Sequence, residues 1–84
     1  MYYFYLVRCA DNSLYSGITN DLEKRVIDHN SEKRGAKYTR AKQPVRLVYT
    51  EKFENRSLAM KREAEVKKWP KFKKERLVTK VIAS

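Results

Sequence analysis

The run Tyr2-Tyr3-Phe4-Tyr5-Leu6-Val7-Arg8-Cys9, then Asp11-Asn12-Ser13, then Leu14-Tyr15-Ser16-Gly17-Ile18-Thr19, decides the fold. The first segment is rich in aromatic residues and has no helix breaker, so it reads as a strand. Asp11, Asn12 and Ser13 supply the side chains that close tight turns. The segment at 14–19 reads as a second strand, and residues 2–19 therefore predict a β-hairpin. Strand side chains alternate between faces. Tyr3 and Tyr5 thus share one face of the first strand, and Tyr15 and Gly17 share one face of the second.

Outward from the hairpin, Asn20 or Asp21 can cap a helix in which Leu22, Val26 and His29 fall on one face. Gly35 marks the end of that helix or of a short continuation. Residues 38–44 form a basic, turn-like segment. Residues 45–53 predict a third strand, with Val45, Leu47 and Tyr49 set against Arg46 and Val48. Asn55 or Ser57 can cap a second helix that places Ala59, Glu63 and Val66 on one face. Trp69-Pro70 breaks it, because a residue before proline is biased away from helical geometry. Pro70 suits the first position of a last helix over residues 71–78. The expected order is ββαβαα: an α+β fold with a three-stranded antiparallel sheet flanked by helices, in a single domain spanning residues 1–84.

The chain has 84 residues, with 20 Lys+Arg against 10 Asp+Glu, a net charge of +10. Apolar residues make up 42%, which is a globular composition rather than a disordered basic tail. A chain this short buries only about 60% of its unfolded surface, so two lobes are excluded. Such a charge points to a polyanionic partner. Cys9 is the single cysteine, which excludes a disulfide framework within the chain and a cysteine-based zinc site, and no disulfide-linked partner is expected. The N-terminal apolar run is short and interrupted by Arg8, so neither a signal peptide nor a membrane span is expected. The expectation is a cytoplasmic protein, monomeric rather than an obligate oligomer.

Three places depart from a plain fold. The hairpin brings Tyr3, Tyr5 and Tyr15 together. Tyrosines simply suit strands, but Gly17 among them weakens its strand and often marks a bulge or a close approach. Arg25 and His29 are one helical turn apart, and His29 stands where the Leu22–Val26 stripe calls for an apolar residue. It reads either as a hydrogen-bonded histidine at the core edge or as part of a site. Arg25 reads as a solvated charge or as a planar fork matched to phosphate. Glu63 lies on the face that should be buried, where a carboxylate is costly unless it is paired or metal-bound. An ordinary ion pair with one of the many cations is the alternative.

Together these residues resemble the GIY-YIG nuclease superfamily. Tyr3-Phe4-Tyr5 and Tyr15-Ser16-Gly17 are similar to its two signature tripeptides, and nine residues separate Tyr5 from Tyr15. Arg25, then His29 and Asn30, and later Glu63 follow in the family's order. The segment Gly35-Ala36-Lys37-Tyr38-Thr39-Arg40 is similar to one shared by small bacterial members. The resemblance covers about residues 2–78, and the nearest group is the short stand-alone YhbQ/YazA-like proteins. Tyr3 stands where the family has glycine, Ser16 where it has an aliphatic residue, and Ile18 where some relatives carry lysine.

The resemblance implies a metal-dependent endonuclease that hydrolyses phosphodiesters in DNA rather than RNA, in branched or damaged forms. It implies Tyr5, Tyr15, Arg25, His29 and Glu63 as catalytic residues, with Glu63 holding one Mg²⁺ or Mn²⁺. A single carboxylate suits Mg²⁺, which keeps several waters and takes further oxygens from phosphate. Arg25 then neutralises the scissile phosphate. Either Tyr15 or His29 serves as the base. Tyr3, Gly17, Asn30, Arg34, Lys37, Tyr38, Arg40, Lys42, Arg62 and Lys67 are the expected nucleic-acid contacts. Two other readings remain open: a non-catalytic basic nucleic-acid-binding module, and an RNA- or ribosome-associated protein.

Overall fold

A computed structural model describes residues 1–31 and 41–83. Strand β1 runs over Tyr2–Arg8, β2 over Leu14–Thr19 and β3 over Arg46–Phe53. Helix α1 spans Leu22–His29, α2 Arg56–Lys67 and α3 Lys71–Ala83. The order is ββαβαα and the fold is α+β. The sheet is antiparallel throughout, in the order β2-β1-β3, so the opening strand lies at its centre.

The central position accounts for the composition of β1. Phe4, Tyr5, Leu6 and Val7 are all buried, since both faces of this strand are covered. Phe4 and Leu6 point to one face and pack with Val66 of α2 and Val78 of α3. Tyr5 and Val7 point to the other and pack with Cys9, Val45 and Leu22 of α1. The hairpin register sets Tyr5 opposite Gly17 and Val7 opposite Tyr15. Its turn includes Asn12 at φ 70°, a left-handed conformation that asparagine tolerates better than most residues.

Both early helices begin at capping side chains. Asp21, not Asn20, accepts from the backbone N–H of Lys24 at 3.1 Å. Asn55, not Ser57, accepts from that of Leu58 at 3.0 Å. Each satisfies an N–H that has no partner within its own helix. Pro70 sits one position before α3 rather than at its first residue, and its carbonyl accepts from Lys73 and Lys74. That helix continues to Ala83, beyond the expected residue 78.

The third strand departs from strict alternation. The β1–β3 register slips between Leu6 and Val7: Leu6 faces Tyr49, whereas Val7 faces Leu47. The extra residue, Val48, forms a β-bulge. Val48 and Tyr49 therefore both pack toward Phe4 and Leu6, while Val45 packs on the Tyr5 side. The expected single face of Val45, Leu47 and Tyr49 does not exist, and Leu47 is exposed. Among the described residues no helix is long and apolar enough to cross a membrane.

Candidate active site

The centre of the site is the Tyr5 hydroxyl. Its ring lies across Gly17, the residue opposite it on β2. A Cβ at position 17 would stand 2.3 Å from Tyr5 Oη and 2.6 Å from Cζ. Gly17 has no positive φ, and the β1–β2 register is unbroken around it. The glycine is needed for room rather than for conformation. What approaches the backbone there is a phenol of the same chain. Gly17, expected to contact nucleic acid, is buried beneath Tyr5 instead.

Helix α1 delivers two side chains to that oxygen. Arg25 Nε donates to Tyr5 Oη at 3.2 Å. His29 Nε2 lies 2.8 Å from the same oxygen. Burial, then the charge of Arg25, lowers the His29 pKa to about 4, against the smaller opposing pull of Asp28. The imidazole is therefore neutral at pH 7. The phenol O–H then donates to Nε2 and its oxygen accepts from Arg25, which assigns the ring proton to Nδ1. Burial pushes the Tyr5 phenol above its ordinary pKa, against the hydrogen bond and charge of Arg25, with Tyr15 and Glu63 adding to the rise. Tyr5 is thus held as a protonated phenol at neutral pH.

Tyr15 completes the cluster. Its ring meets His29 edge-on at 5.4 Å between centroids, and Tyr5 meets His29 similarly at 5.7 Å. The histidine therefore hydrogen-bonds Tyr5 and packs edge-on against Tyr15. Tyr15 is half-buried, whereas Tyr5 is 1% exposed, so Tyr15 is the phenol with access to solvent.

Glu63 lies on α2 between the buried Ala59 and Val66, and its carboxylate acts electrostatically on Tyr5. It is half-buried. Among the described residues its carboxylate takes part in no hydrogen bond or ion pair. Other carboxylates do: Glu51 and Glu65 are held by Arg62, and Glu75 by Arg8. The ion-pair reading of Glu63 is therefore not realised among the described residues. Those residues also contain no group of three or more His, Cys, Asp and Glu arranged to hold a metal. A closed protein cage is thus absent among them, and a lone half-buried carboxylate fits an ion coordinated mainly by water and phosphate oxygens.

Several expected contact residues have other occupations. Asn30 follows α1, and its Oδ1 accepts from Val45 N at 2.7 Å while its Nδ2 donates to Val45 O at 3.0 Å. The side chain imitates a strand partner and ties the end of α1 to the start of β3. Arg62 forms a two-pronged pair with Glu51, bonds Glu65, and lies over the Trp69 ring. Glu51 also accepts from the Tyr49 hydroxyl. Lys42 pairs with Asp11 at 2.8 Å. Tyr3 is half-buried on the Tyr5 face and Lys67 is exposed. Arg34, Lys37, Tyr38 and Arg40, with Gly35, lie outside the described residues.

One supporting residue was not legible in the sequence. Gln43 Nε2 donates to the carbonyls of His29 at 2.9 Å and Ser31 at 3.0 Å. It satisfies carbonyls that the end of α1 leaves open. No periodicity links Gln43 to His29, so only the tertiary structure reveals it.

A tyrosine–histidine–arginine knot on a β-hairpin and its following helix, with a carboxylate on a later helix acting on it electrostatically, defines a recognisable class. The chain belongs to the GIY-YIG family, whose catalytic domain matches residues 1–76. It is similar to a UPF0213 protein of Bacillus pumilus, 54% identical over 74 residues, covering 88% of this chain and 74% of that one. A UPF0213 protein of Natronomonas pharaonis is 51% identical over 77 residues, covering 92% and 89%. The solution NMR structure of a UPF0213 protein from Bacillus halodurans superposes with a TM-score of 0.59 at 46% identity, covering 94% of this chain and 84% of that one. That of a protein from E. faecalis gives 0.64 at 42% identity, covering 99% and 88%.

Proposed function

We propose that this protein is a metal-dependent endonuclease that hydrolyses phosphodiester bonds in DNA, including branched or damaged forms. The observation that carries the reading is Glu63: a half-buried carboxylate without an ion-pair partner among the described residues, in a chain of charge +10, whose charge is felt at Tyr5 of the Tyr5–His29–Arg25 knot. A pure binding surface for a polyanion has no use for such a carboxylate, which repels phosphate unless a cation intervenes. Family membership supports the same reading.

In this reading Glu63 holds one Mg²⁺ or Mn²⁺, which supplies Lewis-acid stabilisation of phosphate oxygens. Tyr5 is a positioning residue, since its hydroxyl is occupied by Arg25 and His29. Arg25 bonds Tyr5 through Nε and turns its remaining guanidinium N–H groups to the phosphate, where they offset charge in the transition state. Tyr15, the accessible phenol, orients the attacking water. His29 is neutral and serves as the acceptor that keeps Tyr5 in place. Ile18 follows Gly17 where some relatives carry lysine, so the positive charge against the hairpin phenols comes from Arg25.

The test is a cleavage assay on labelled single-stranded, duplex and branched DNA and on RNA, with Mg²⁺, with Mn²⁺ and with chelator. Glu63→Gln and Tyr15→Phe proteins are run beside the wild type. Divalent-dependent cleavage by the wild type, lowered at least about 100-fold in either variant with folding intact, is the expected result. Equal cleavage by wild type and Glu63→Gln overturns the reading. Salt-sensitive binding without any cleavage makes the protein a binding module, and selective retention of RNA makes it an RNA-associated one.

A further inference from the structure

The corner where α2 meets α3 has no part in the cluster around Tyr5. It packs on the opposite face of the sheet, with Trp69 against the Phe4–Leu6 core. Its outer surface combines cations and aromatic rings. Lys73 Nζ lies 4.4 Å from the Trp69 ring centre, and Arg76 Cζ lies 5.6 Å from that of Phe72. Phe72 is 63% exposed, a large aromatic side chain left in solvent in the first turn of α3. The ion pairs among the described residues are Arg8–Glu75, Lys42–Asp11, Arg62–Glu51 and Arg62–Glu65. Lys67, Lys73 and Arg76 take part in none of them. The acids of this corner are thus already committed: Glu65 to Arg62 and Glu75 to Arg8.

We infer that this corner is a second nucleic-acid contact surface, which takes unpaired strand. Lys67 and Lys73 bind phosphates, and Phe72, backed by Arg76, stacks an exposed base. The inference rests on the reading of the partner as nucleic acid. Phosphate alone would be served by the lysines, and a duplex presents no free base face to a ring. An exposed Phe with an arginine alongside suits unpaired bases, whose π-faces stack on aromatic side chains irrespective of sequence. Anchoring of unpaired strand here, across the sheet from Tyr15, gives a small chain two contact surfaces. Such an arrangement favours substrates in which single-stranded and paired segments adjoin.

Trp69 is the only tryptophan of the chain, so its fluorescence reports on this corner. The experiment titrates the full chain with oligothymidylate and with a blunt duplex of equal length, in chelator so that no cleavage occurs. Tryptophan emission and the anisotropy of labelled DNA are both read. Saturable change of Trp69 emission is expected with oligothymidylate. Phe72→Ala is expected to weaken oligothymidylate binding by about tenfold and to leave duplex binding unchanged. Lys67→Gln and Lys73→Gln are each expected to lower the slope of log affinity against log salt by about 0.7. Phe72 is exposed, so its truncation leaves the fold intact, as thermal unfolding will verify. Equal oligothymidylate affinity for wild type and Phe72→Ala overturns the inference, as does binding with no change in Trp69 emission. Those results leave the cleavage reading standing if Glu63→Gln and Tyr15→Phe abolish cleavage. Loss of cleavage activity with the Phe72 effect intact separates the two in the other direction. Failure to bind any nucleic acid overturns both.

Discussion

The two faces of β1 are built from the same seven residues and serve opposite ends. On one face Phe4 and Leu6 meet Val66 and Val78, an aliphatic and aromatic core. On the other, Tyr5 is as fully buried as they are, yet its hydroxyl bonds an imidazole and a guanidinium. The first face is held by area removed from water, which is indifferent to direction. The second is held by directional bonds among groups that are costly to bury unless each has its partner. The lesson is that strand alternation sorts one short sequence into an apolar face and a hydrogen-bonded face, and that mutations on the two will fail in different ways.

Leu6→Ala probes the apolar face and carries the largest expected effect. A loss of about 2–5 kcal/mol is expected from denaturant unfolding, through lost burial and the cavity left behind. A loss below about 1 kcal/mol would mean that this face is loosely packed. On the hydrogen-bonded face the corresponding quantity depends on pH. His29 has a folded pKa of about 4, below its ordinary value of 6.5, so the unfolded chain binds more protons between these values. Stability is fully present above pH 6.5 and is lost as pH falls toward 4, by up to about 3 kcal/mol. Unfolding midpoints of wild type and His29→Gln at pH 7 and pH 4.5 will check this. An identical acid loss in the two proteins would assign it to other groups.

Gly17→Ala carries the smallest expected effect and sharpens the comparison most. A methyl group 2.3 Å from Tyr5 Oη forces the phenol aside, with an expected cost of about 1–3 kcal/mol. Tyr5→Leu removes the clashing atoms, so Gly17→Ala in that background is expected to be nearly neutral. Additive effects in this double-mutant cycle would show that the phenol does not rest on Gly17.

Much of this architecture was legible. Alternation at Tyr3, Tyr5, Tyr15 and Gly17 marked one face, and His29 betrayed itself as a polar residue in an apolar stripe. Glu63 did the same on α2. Asp21 and Asn55 were each one of two possible caps, and backbone geometry chose between them. The bulge at Val48 was invisible, because a single inserted residue in an apolar run leaves no mark on composition. Asn30 and Arg62 were expected to contact nucleic acid and are tied to Val45 and Glu51, and Gln43, which no pattern singles out, is tied to His29.

The sequence by itself therefore determined the order of elements, the apolar first strand, the basic composition and the residue types gathered around Tyr5. These follow from periodicity, charge and local capping, which act over a few neighbours along the chain. Only the tertiary structure decided which phenol holds His29, why position 17 must be glycine, and which cations are neutralised. Those depend on contacts between residues far apart along the chain, from Arg62 with Glu51, 11 positions apart, through Tyr5 with His29, 24 apart, to Arg8 with Glu75, 67 apart, and spacing along a chain carries no distance in space.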